Sequence, residues 1–155
     1  MRLNRLFRYA IYGAFAALFL SGALWLFADG LKDTPEGEMW QAMSANLLMI
    51  HGGAAMLTLM LLGALVPVHV LRSWRAGNNR ITGTVMASLN GILIVTAFGL
   101  YYLGSESLRP WLSTIHWAAG FALPIQLITH IYLGRRRNVG AAKPSLATEA
   151  PMQLP

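Results

Sequence analysis

Residues 112–134 read LSTIHWAAGFALPIQLITHIYLG. The run carries no charge and is long enough for a helix to cross a bilayer, which takes about 20 residues. It nevertheless holds two histidines, His116 and His130. Their fourteen-residue separation is four helical turns less about 40°, so both imidazoles fall near one helix face, about 21 Å apart along the axis. An ionisable side chain inside an apolar span is a functional hypothesis by default.

Working outward, a second uncharged run at residues 45–71 also holds two histidines, His51 and His69. The chain has four histidines in all, and every one lies in these two runs. Two further apolar runs, 9–28 and 81–105, complete a set of four candidate spans. The composition agrees. In 155 residues, 55% are hydrophobic, only 12% are charged, and the mean hydropathy is +0.49. A water-soluble domain carries about twice that charge. The expected fold is therefore all-α, an integral membrane four-helix bundle at residues 1–137, followed by an Ala/Pro-rich tail at 138–155 whose composition predicts disorder in the isolated chain. No cysteine is present. This excludes disulfides, iron–sulfur clusters, thiolate ligands and covalent CxxCH haem attachment.

The net charge of +6 is explained by position. Arg2, Arg5 and Arg8 precede the first run, Arg72, Arg75 and Arg80 follow the second, and Arg135, Arg136, Arg137 and Lys143 follow the fourth. The other two connections hold Lys32 and Arg109 beside Asp29, Asp33, Glu36, Glu38 and Glu106. Alternate basic loops are the positive-inside pattern, which places both termini in the cytoplasm. Nucleic-acid binding is set aside, because the charge follows topology rather than one face. The first run reads as an anchor rather than a cleaved signal peptide: its apolar core is too long and Leu26-Phe27-Ala28 is a poor cleavage site.

Residues 29–44 are expected to form a polar outer connection, with Trp25, Trp40 and Trp111 near the outer interface. Pro67 removes a helix hydrogen bond two residues before His69 and predicts a bend there. Gly83, Gly91 and Gly99 recur every eight residues and would let a helix or a flat cofactor approach closely. Asn90, the single amide of its span, is expected to bond a neighbouring helix.

Four spans make the second and fourth helices parallel. His51 then meets His116 near the outer face, and His69 meets His130 near the inner one. The His51–His69 rise is about 27 Å against about 21 Å on the other helix, a difference that tilt or the Pro67 bend must absorb. Packing histidines would satisfy any one of these positions. Zinc and copper sites gather three or four ligands at one point. Two points with two imidazoles each suit bis-histidine axial ligation of two b haems. Arg109 is the outer candidate partner for haem propionates; Arg72, Arg75, Arg80 and Arg135 are the inner candidates. Trp117, Phe121 and Tyr132 lie near the ligands and would line haem pockets or serve as plain core.

Several pieces then carry a resemblance: Leu20-Ser21-Gly22 in the first run, the His51…His69 helix, residues 96–102 (TAFGLYY), and Ile115-His116-Trp117 followed by Gly120 and His130. Over residues 5–137 the chain resembles the small four-helix di-haem membrane cytochrome b family, which includes formate dehydrogenase gamma subunits. Several members carry a ligand histidine in their first helix, where this chain has Tyr9 and Tyr12, so both partners must come from the second helix. The resemblance implies an electron-transfer subunit linking the quinone pool to a periplasmic redox partner. Haem carries that chemistry and the protein supplies position and tuning. A quinone is expected near the inner haem, where Asn79 and Asn90 add polar groups. Two other functions fit the composition: a stand-alone superoxide:quinone-type oxidoreductase, and a haem-free membrane scaffold. The first needs a cationic outer funnel, which Lys32 and Arg109 against five acids do not supply.

Overall fold

In the computed structural model, which describes residues 4–77 and 79–141, the chain is all-helical, and no strand occurs among the described residues. Four helices follow in order: α1 Arg5–Asp29, α2 Gly37–Arg75, α3 Arg80–Tyr102 and α4 Arg109–Ala141. The first three are long and apolar enough to cross a membrane. In α4 the polar side chains of His116, Gln126 and His130 dilute an otherwise uncharged run. Large apolar side chains point away from the protein all along the helices, among them Met49, Met60, Val95, Ile125 and Ile128, each about two-thirds exposed or more. Such a surface belongs in a lipid bilayer, and the chain is a multi-pass membrane protein.

Three helices outrun their apolar runs at both ends, whereas α3 stops at Tyr102, three residues short of its run's end. The expected polar connection at 29–44 is mostly helix, because α2 begins at Gly37 with Glu38 in its first turn, where a carboxylate complements the helix dipole. The true turn, residues 30–36, is closed by backbone bonds from Leu31 to Ala28 and from Thr34 to Leu31, and Lys32 bridges Asp29 at 3.2 Å. At the far end, α4 continues through the arginine cluster to Ala141. Four residues assigned to the tail are thus helical, and 142–155 lie outside the described residues.

The helices form two hairpins, α1 against α2 and α3 against α4. The second hairpin is joined to the first by a turn with Gly77 at φ 71° and Asn79 at φ 49°, both left-handed. Arg80 clasps this turn: its Nε and Nη2 donate to the Trp74 carbonyl at 3.2 and 3.0 Å, and its guanidinium lies over the Trp74 ring. The core at mid-depth is built on Ile11, Phe15 and Leu123, with Leu61, Leu65, Met86 and Leu93 packed against them. Core residues of all four helices therefore lie between the two histidine positions of α2 and α4.

Pro67 does perturb its helix, in a specific way. Residues Val66–Val70 form a π turn, closed by the Leu71 N–H to the Val66 carbonyl. The wider turn inserts an extra residue and re-aims His69. Pro124, midway along α4, leaves that helix continuous.

Candidate functional site

The structure brings the four histidines together as two pairs, one from each hairpin. The ring centroids of His51 and His116 are 6.2 Å apart with planes at 77°. Those of His69 and His130 are also 6.2 Å apart, at 86°. First meets first and second meets second, so α2 and α4 run parallel. All four rings are half-buried.

Three of the rings are held by a hydroxyl from the neighbouring helix of the same hairpin. His51 Nδ1 is 3.0 Å from Ser21 Oγ, His116 Nδ1 is 2.8 Å from Thr96 Oγ1, and His130 Nδ1 is 3.0 Å from Thr82 Oγ1. Each hydroxyl also bonds a carbonyl of its own helix: Ser21 to Ala17 at 2.6 Å, Thr96 to Ile92 at 2.7 Å, Thr82 to Asn79 at 3.3 Å. A hydroxyl whose proton lies on such a carbonyl can accept from Nδ1–H. A neutral imidazole with its proton on Nδ1 keeps its lone pair on Nε2. That is the tautomer in which a histidine ligates a metal through Nε2, with its other nitrogen tied down.

His69 differs. It has no hydrogen-bond partner among the described residues. In the register that sets Ser21 against His51, its counterpart on α1 would fall ahead of Arg5, before that helix begins.

Small residues make the tight fit. A Cβ on Gly22 would lie 3.1 Å from His51 Cε1, and one on Gly83 would lie 4.0 Å from His130 Cε1. A hydroxyl followed by glycine, Ser21-Gly22 and Thr82-Gly83, thus sits beside one histidine of each pair. Gly99 faces Leu112 of α4, whereas Gly91 has nothing within 4 Å of its added Cβ.

The arginines are placed less directly. Arg109 is exposed and its Nη1 donates to the Leu100 carbonyl at 3.1 Å, capping α3. Arg72 lies one turn beyond His69 on α2, and its carbonyl accepts the Ala76 N–H. Arg75 and Arg135 are exposed near the same end, and Arg80 is committed to Trp74. Of the aromatic candidates, Phe121 packs edge-on against Phe19 and Trp117, and Tyr132 carries the Arg136 guanidinium. Asn90 donates to Met86 of its own helix at 2.8 Å rather than to a neighbour. The amide that does cross between helices is Gln126, whose Nε2 reaches the Thr82 carbonyl at 3.1 Å.

Thr82 and Gln126 were not marked by hydropathy. One signal in the sequence does find the threonines: Thr82 and Thr96 are separated by the same fourteen residues as His116 and His130. In an antiparallel hairpin, equal separations on the two strands put both pairs in register. Among the described residues no three His, Cys, Asp or Glu side chains converge on one point. The arrangement offers two ligands at each of two places. Comparison of the chain with known protein families, curated proteins and solved structures finds no match.

Proposed function

We propose that this chain is a four-helix di-haem b membrane cytochrome, an electron-transfer subunit with both termini on the cytoplasmic side. The observation that carries the reading is the 6.2 Å spacing found in both histidine pairs. Two imidazoles at this spacing would hold one haem iron between them. T-shaped ring packing also tolerates this spacing. It does not require the hydroxyls that hold Nδ1 of three of the four rings. The mid-depth core lies between the two pairs, and glycines stand beside His51 and His130.

His51 with His116 would hold the outer haem, and His69 with His130 the inner one. Bound there, haem supplies reversible one-electron chemistry. Ser21, Thr96 and Thr82 would orient the ligand rings through their Nδ1 atoms. Arg109 at one end, and Arg72, Arg75 and Arg135 at the other, supply cations for propionates. Two such sites at two depths relay electrons between a quinone in the bilayer and a redox partner on the periplasmic face. The outer surface supports a docking role over anion capture: Lys32 is paired with Asp29, and Lys32 and Arg109 stand among five acids. The test is a visible spectrum of purified, dithionite-reduced protein with haem counted per chain. Two low-spin b haems are expected.

A further inference from the structure

Three of the four histidines share one construction. His51, His116 and His130 each sit in regular α-helix, and each has its Nδ1 within 3.0 Å of a hydroxyl across the hairpin. His130 is braced further, because the helix presenting Thr82 is tied to α4 by Gln126. His69 shares none of this. It lies within the π turn Val66–Val70, where Pro67 offers no backbone N–H, and no described residue accepts from its ring.

These differences bear on how tightly each ring can hold a metal. An acceptor on Nδ1–H raises the basicity of Nε2 and fixes the ring orientation, and its loss costs about 10- to 100-fold in metal affinity. Without one, the neutral ring divides between two tautomers, and one of them puts the proton on Nε2. A π turn also leaves the local backbone with fewer constraints than regular helix, and such turns recur at functional sites.

We propose that His69 is the exchangeable ligand of the four, so that the inner site is held firmly through His130 and opens reversibly on the His69 side to a small neutral iron ligand. The inference rests on the di-haem reading and deepens it. The exchange is a ligand substitution with no change of electron count: the bond from His69 Nε2 to iron breaks, and one to the incoming neutral donor forms. The outer pair, with both Nδ1 groups satisfied, stays closed.

The experiment uses the full-length haem-loaded chain in detergent. Haem is counted first, and the dithionite-reduced protein is then exposed to carbon monoxide. About half of the b-type absorbance should convert, at a rate that saturates with carbon monoxide because His69 must leave first. In His69→Ala the same half should convert at least about tenfold faster and without saturation. Thr96→Val, which removes the His116 acceptor while keeping its shape, should raise the reactive fraction from half towards all. A chain that carries two haems but converts neither, or both alike, overturns the proposal. So does a Thr96→Val protein whose reactive fraction stays at half. A chain that binds no haem overturns the di-haem reading itself, and this inference with it.

Discussion

Thr96 Oγ1 lies 2.8 Å from His116 Nδ1 and donates to the Ile92 carbonyl at 2.7 Å. The threonine is buried in α3, and the pair links α3 to α4 at the depth where His116 meets His51. A hydroxyl in an apolar helix usually does no more than bond its own turn. Here it does that and also holds Nδ1 of a histidine on a second helix.

Thr96→Val should therefore weaken the outer site without unfolding the protein. Haem should leave that site about 10- to 100-fold faster, as outer-shell losses generally produce. Transfer of haem from the purified protein to an excess of apo-globin measures the rate. An unchanged rate would mean that the hydroxyl only packs.

Gly22 is a second lever on the same depth. Any Cβ there lies 3.1 Å from His51 Cε1 and 3.4 Å from Nδ1, so a branched side chain must push the ring away from both Ser21 and His116. Gly22→Val should lose the outer haem and keep the inner one, read as a halved haem-to-protein ratio. The same change at Gly91, which faces open space, should leave the ratio alone.

Gln126→Ala removes the amide that donates to the Thr82 carbonyl at 3.1 Å. The loss should cost about 1 kcal/mol, the scale of a single interhelical side-chain bond. Both haems should remain. Reversible unfolding in mixed micelles checks the stability, and loss of the inner haem would assign Gln126 a larger role.

Much of this was readable before any coordinates. The positions of His51 beside His116 and His69 beside His130 follow from the order of the runs and their depth. The helix ends do not: hydropathy marks where lipid-facing side chains stop, whereas α2 starts at Gly37 because Glu38 suits a helix N-terminus. The π turn was visible only as a proline. A missing N–H says that the ladder breaks, and packing decides whether the helix kinks or widens. The threonines were hidden for another reason. A single hydroxyl in an apolar run is unremarkable, and Thr82 with Thr96 gains meaning only when its spacing is laid against that of His116 and His130.

The proposed topology makes its own prediction. Reporter fusions at Gly37 and at Gly77 should behave oppositely, the first active outside the membrane and the second inside, as the basic residues around the α2–α3 turn require. Matching behaviour would contradict four alternating spans.

The most direct measurement is the haem-to-protein ratio of the purified chain and of its four histidine-to-alanine variants, taken with the reduced spectrum. Two b haems are predicted for the parent protein, both six-coordinate and low-spin in the absence of added ligand. His51→Ala and His116→Ala should each disrupt the same haem, and His69→Ala and His130→Ala should each perturb the other. A parent chain without haem, or a pairing in which His51 and His116 affect different haems, would contradict the proposed ligation.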